Sequence, residues 1–184
     1  TLLASATGLA SATSATFNTT AALIAWTNPA GGNWTTASNW SLGRVPNAID
    51  SVVIGLAGSY TVTLDTTVTA SFITVGGVSG AQTLALGSRP LTIAGELRTQ
   101  GTGVFAMTNA TLIGTGSLVN TATSSVLNSA INVPVVNSGT LTGNATVNLT
   151  GALTTTATSV LRARSDGTTG FVNLTVANGF TNVG

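Results

Sequence analysis

An all-β fold, a right-handed parallel β-helix with a tryptophan-rich N-terminal cap and an extended N-terminal arm, is predicted by three observations. From Ser51 onward, short β-branched runs alternate with Gly, Asn and Ser turns, and no segment carries helical periodicity. A loose repeat runs through the same region. Gly95-Glu-Leu-Arg and Gly116-Ser-Leu-Val lie 21 residues apart, and Gly139-Thr-Leu-Thr follows after a further 23, with Gly151-Ala-Leu-Thr beyond it. Tight hairpin dipeptides are scarce: Asn-Gly occurs only at Asn178-Gly179 and Asp-Gly only at Asp166-Gly167, so an antiparallel sandwich is the weaker alternative.

Residues 1–25 form the first zone, small and uncharged. Their Thr and Ser run from Ser11 to Thr20 opposes helix and suits an extended arm. Residues 26–50 hold Trp26, Trp34 and Trp40, all the tryptophans of the chain, together with Gly-Pro turn chemistry. Residues 51–184 supply the coils. Around Phe105 ("GVFAM") and Val126 ("SSVLN") a second strand recurs 21 residues apart, and "NATLI" and "SAINV" mark a third. Three short strands per turn are what a parallel β-helix coil needs. A single coil is too small to bury its inward face, so stacking is obligatory, and Leu97, Leu118 and Leu141 are expected to superpose. There is room for about six coils at about 4.8 Å each.

Composition excludes several classes of function. Charged residues make up 5% of the 184, with no Lys, His or Cys, and the net charge is +1. Five scattered arginines offer no stripe to neutralise phosphates, which argues against nucleic-acid binding. The longest uninterrupted apolar run, Ala21 to Trp26, is far short of the roughly 20 residues of a membrane helix. Little charge also means little electrostatic opposition to self-association. The chain starts at Thr1 with neither a basic leader nor an initiator Met, which fits a removed leader or a trimmed chain.

A β-helix exposes an apolar cross-section and an open sheet edge at each end. Three large aromatics and a Pro-fixed turn placed just before the first coil suit a plug for one of them. The alternative use of Trp26, Trp34 and Trp40 is as a stacking platform for surface glycans, which requires exposed indoles.

The segment "NWTTASNWSLGRVPNAIDSVVI", followed by "GSYTVTLDTTVTASFITVGG" and "LTIAGELRTQGTG", resembles a recurring module of bacterial adhesin and autotransporter-type passengers. It is also similar to the eight-glycine domain of animal extracellular proteins. The resemblance spans roughly residues 26–103 and rests on Trp34, Trp40, Pro46 and Asp50; this chain lacks the charged and aromatic residues usual in such coils. It implies a β-helical fold, an extracellular or cell-surface location, and adhesion or scaffolding, and it names no ligand.

No catalytic site, cofactor or metal is expected. Without His, Cys or Lys the common nucleophilic triads, the common zinc sites and Schiff-base chemistry are unavailable. Of the four acids, Asp50 reads as a bond acceptor for backbone amides, Asp65 as a turn residue, and Glu96 as a same-face partner of Arg98; Asp166 falls in the Asp-Gly turn. Arg162 and Arg164 read as a solvated edge. Seven Asn-x-Ser/Thr sequons are present, a weak sign of glycosylation in so Thr-rich a chain. An ice-ordering Thr array requires Thr at one place on every coil, which a strict 21-residue phase does not provide. Head-to-tail self-association is expected instead, with Phe17, Leu23 and Ile24 of the arm and Phe180 of the last coil as candidate contacts. The reading is a non-enzymatic structural or adhesive β-solenoid, with a carbohydrate-binding or carbohydrate-cleaving β-helix as the alternative.

Overall fold

Alternation of burial along each strand organises the molecule. In Ser51–Ile54 the side chains of Val52 and Ile54 are buried and those of Ser51 and Val53 are not, and the same period of two recurs through Tyr60–Thr63, Gln82–Ala85 and Leu153–Thr156. The structure, a computed structural model, describes residues 3–4, 7, 12–13, 20–165, 167 and 172–183. Within the solenoid every strand pairing is parallel. The chain therefore winds into stacked coils, a β-solenoid. Its core is a set of inward columns, each rung supplied by the next coil.

The first column runs Ile24, Val52, Ile73, Leu97, Leu118, Val135, Leu153 and Phe180. A second runs Val62, Leu84, Phe105, Ser124, Leu141 and Leu161, and a third runs Val68, Leu91, Leu112, Ile131, Leu149 and Val176. Leu97 lies under Leu118 as expected, but the next rung is Val135, and Leu141 belongs to the second column. The cause is coil length. One turn of the first column takes as few as 17 residues (Leu118 to Val135) and as many as 28 (Ile24 to Val52).

The Gly-x-Leu signature marks a corner rather than a phase. A Cβ on Gly116 would sit 2.1 Å from the carbonyl oxygen of Gly95, and one on Gly139 would sit 2.2 Å from that of Ala122. Glycine is needed wherever the chain turns tightly over the coil beneath, and such corners lead into both the first and the second column.

The N-terminal zones are less separate than the sequence suggests. Leu23–Ala25 pairs with Ser51–Val53 and Gly32–Asn33 pairs with Val62–Thr63, so among the described residues the solenoid starts at Leu23 and the cap is part of its first coil. Ile24 is 0% exposed. An arm ending at residue 25 is thus corrected to one ending before Leu23. Within that arm Leu3–Ala4 pairs antiparallel with Ala12–Thr13, so these residues fold back instead of running on as one extended strand.

Candidate functional site

The two ends of the solenoid differ in kind. At the N-terminal end Trp26, Trp34 and Trp40 are at most 2% exposed. Their rings meet edge to face, with centroids 4.9 Å apart for Trp26 and Trp40 and 4.7 Å for Trp34 and Trp40. Both donors at the centre of the cluster are used: Trp40 Nε1 donates to the Trp34 carbonyl at 2.8 Å and Trp26 Nε1 to that of Asn28 at 2.6 Å. The sheet edge is closed as well. Trp40 bridges Trp26 antiparallel, Ser41 N donates to the Ala25 carbonyl at 2.8 Å, and Thr27 N to that of Asn39 at 2.8 Å.

Asp50 locks this cap to the first coil. Its buried carboxylate accepts two bonds from Arg44, at 2.6 and 3.0 Å, and one each from Asn47 N at 2.8 Å and Ala22 N at 3.1 Å. The Arg44 guanidinium, aided by the two amides, outweighs burial and holds the carboxyl at about 2, below its ordinary 3.8. Gly43 takes φ +62°, turning the chain between Trp40 and Arg44, and Pro46 is buried beside it. Trp40, Gly43, Pro46 and Asp50 therefore serve one end seal.

The glycan-stacking expectation for Trp26, Trp34 and Trp40 is not met. Trp34 touches a cleft of about 250 Å³ with Pro46 and Val68, yet it is 1% exposed and offers no ring face. The other described acids are likewise engaged in bonds, while Asp166 lies outside the described residues. Asp65 accepts from the Thr35 amide at 3.1 Å and from the Thr35 hydroxyl, and Glu96 pairs with Arg98 at 2.7 Å. No helix among the described residues is long and apolar enough to cross a membrane.

At the C-terminal end the described residues hold no comparable seal. Three strands form the last coil: Val160–Arg164, Asn173–Val176 and Phe180–Val183. Among the described residues each pairs on one side only, with Thr140–Asn144, Thr146–Leu149 and Leu153–Thr156 respectively. Among the seven preceding rungs of the first column none exceeds 1% exposure, whereas Phe180 is 56% exposed and Val183 is 60% exposed. Leu161, Leu174 and Val176 are only partly buried. Arg162 and Arg164 are exposed on the first of these strands, and the other two carry no charge. Of the other expected contact residues, Leu23 is exposed, Ile24 is withdrawn into the core, and Phe17 lies outside the described residues.

A polar column inside the solenoid escaped the sequence reading. Two residues after each rung of the first column from Val52 onward come Ile54, Val75, Thr99, Asn120, Asn137, Thr155 and Asn182. The column is apolar through Val75 and then turns to Thr and Asn. Asn120 is fully satisfied. Its Oδ1 accepts from the hydroxyls of Thr99 at 2.6 Å and Ser124 at 2.9 Å, while its Nδ2 donates to Asn137 Oδ1 at 2.7 Å and the Thr140 carbonyl at 2.9 Å. Thr155 continues the ladder, donating to Asn182 Oδ1 at 2.9 Å. The detectable signal is a large apolar residue, any residue, then Asn or Thr: Leu97-Arg-Thr, Leu118-Val-Asn, Val135-Val-Asn, Leu153-Thr-Thr and Phe180-Thr-Asn.

Register also revises the Thr phase on the outer surface. Thr61, Thr83, Val104, Thr123, Thr140 and Val160 share one outward column, so four threonines and two isosteric valines align even though coil lengths vary. Comparison with protein-family models, with curated proteins and with solved structures finds no match.

Proposed function

We propose that the chain is a non-enzymatic structural and adhesive element of a bacterial, extracellular or cell-surface assembly, joined head-to-tail through its C-terminal coil. The observation that carries this reading is Phe180, 56% exposed on top of a column that is otherwise buried. An unpaired strand edge beside exposed apolar side chains is a template for another β-strand. The opposite end is shut by the tryptophan cluster, so the two ends are not equivalent. Association through unlike surfaces is heterologous and propagates. The engagement of Asp50, Asp65 and Glu96 in structural bonds supports a scaffold over a catalyst, and the burial of the indoles removes the platform on which the glycan-binding alternative rested.

The test is deletion of residues 1–19, which keeps every described strand of the solenoid from Leu23 onward. The full chain should form particles that grow with concentration by light scattering and appear as linear arrays in electron micrographs. The shortened chain should stay monomeric with an unchanged β-sheet circular dichroism spectrum. A full chain that remains monomeric at high concentration, or a shortened chain that assembles equally well, refutes the reading.

A further inference from the structure

The geometry points to a ligand site at one corner of the solenoid: the cleft beside Asn109 and Asn128 takes a neutral sugar residue of a glycan. This rests on the adhesive part of the reading above, names its ligand class, and is independent of head-to-tail assembly.

The observation behind it is a set of backbone outliers. Among the described residues only three non-glycines take a positive φ: Asn109 at +52°, Asn128 at +45° and Ala145 at +55°. Register places them at one corner on three successive coils, since Thr108 pairs with Leu127 and Leu127 with Asn144. Elsewhere left-handed corners are built with glycine, as at Gly76, Gly80 and Gly101. Here the chain keeps side chains where glycine would cost less, the pattern expected where those side chains are in use. The corner also carries a bulge. Leu127 pairs with Asn144 and Ser129 with Val147, so Asn128 faces two residues, Ala145 and Thr146. Bulges of this kind re-aim side chains beside sites. A cleft of about 230 Å³ lies at this corner, with Asn109, Asn128 and Thr146 in its wall.

The lining dictates the ligand. Some of its polar groups are spent within the protein. Asn128 Nδ2 donates to Asn109 Oδ1 at 2.8 Å, and the Ser129 hydroxyl donates to the Leu127 carbonyl at 2.7 Å while accepting from the Ala110 amide at 3.0 Å. Asn109 Nδ2, Asn128 Oδ1, the side-chain amide of Asn148 and the hydroxyls of Thr111 and Thr146 bond to no protein group. This set mixes donors and acceptors. No charged side chain lines the cleft, and its only wholly apolar side chains are those of Ala110 and Ala130. An ionic ligand therefore finds no counter-charge and an apolar one no hydrophobic wall. A hydroxyl group both donates and accepts, so a polyhydroxylated neutral ligand matches. The volume is below the roughly 300–1,000 Å³ of sites for drug-sized molecules, so one sugar ring enters and the rest of the glycan stays outside. A few neutral bonds in an open cleft give a weak single site, which adhesion offsets by displaying many copies.

The test applies the full chain to printed arrays of neutral and acidic oligosaccharides, where dense display compensates for weak single contacts. The protein is produced without N-glycosylation, so that the sequons at Asn109 and Asn148 stay bare. Neutral oligosaccharides should bind. Asn128→Gly keeps the left-handed corner and deletes the amide, while Thr146→Val keeps the β-branched shape and deletes one hydroxyl. Each should weaken binding by about tenfold, the worth of roughly one hydrogen bond, with the circular dichroism spectrum unchanged. Thr61→Val, on a strand that does not line the cleft, should bind as the unmodified chain does. If neutral oligosaccharides bind and neither cleft variant weakens them, this site is wrong and adhesion runs through another face. If only acidic oligosaccharides bind, the neutral chemistry is wrong. If no oligosaccharide binds, this inference is wrong, while head-to-tail association is judged separately by light scattering.

Discussion

Asp50 is buried with no exposed side-chain surface, yet it is charged, because Arg44 grips it with two bonds and two backbone amides complete its shell. Burial alone would push the carboxyl up; the guanidinium and the amides pull it down to about 2. A carboxyl whose folded value lies below its ordinary 3.8 adds stability that is complete above that value and disappears as pH falls through about 2. The shift corresponds to about 2 kcal/mol at neutral pH. Thermal melts between pH 5 and pH 2 should therefore show a loss of that order, concentrated below pH 4. Asp50→Asn should lower stability at pH 7 by about 3 kcal/mol, since the new amide donors face the Asn47 and Ala22 amides and Arg44 loses its counter-charge. The slope between pH 4 and pH 2 should flatten in that variant. The role of Asp50 as an acceptor of backbone amides was legible from its place just before a strand. The Arg44 contact was not, because two residues six apart meet only once Gly43 and Pro46 have bent the chain between them.

At the level of the element, the buried ladder ties the coils together more specifically than apolar stacking does. Leu97 over Leu118 would tolerate Val or Ile at either rung, but Asn120 uses both lone pairs and both amide hydrogens on four partners from neighbouring segments. Asn120→Ala leaves Asn137 Oδ1 and the Thr140 carbonyl without their donor and opens a void in a core position. A loss of about 3 kcal/mol is expected in urea melts, against about 1 kcal/mol for Leu118→Val. Near-equal losses would mean that water replaces the ladder bonds. Strand identity and the direction of each side chain were readable from the period of two. Register was not, because it depends on how many residues each corner consumes, and glycine at a corner reports a close approach without reporting which column follows. The same uncertainty hid the aligned Thr61, Thr83, Thr123 and Thr140 and led Leu141 to be placed over Leu118.

For the molecule as a whole, the asymmetry of the ends sets where it comes apart. A solenoid behaves as a one-dimensional stack in which each coil is stabilised chiefly by its neighbours, so an end coil with one neighbour and no cover opens first. The N-terminal coil escapes this because the tryptophan cluster, the Ser41 bond to Ala25 and the Asp50–Arg44 pair replace the missing neighbour. The C-terminal coil has no such substitute among the described residues: Leu161, Leu174 and Val176 are partly buried and Phe180 is exposed. Opening should therefore run inward from residues 160–183 and leave Ser51–Val75 until last. Hydrogen exchange read by mass spectrometry on a dilute sample should show residues 160–183 exchanging fastest within the solenoid, at least a hundredfold ahead of Ser51–Ile54. Raising the protein concentration should slow exchange at Phe180–Val183 and leave Ser51–Ile54 unchanged, since a docked strand protects only the coil that it covers. Uniform exchange along the stack would contradict the asymmetry, and concentration-independent exchange at Phe180–Val183 would contradict its use as a docking edge.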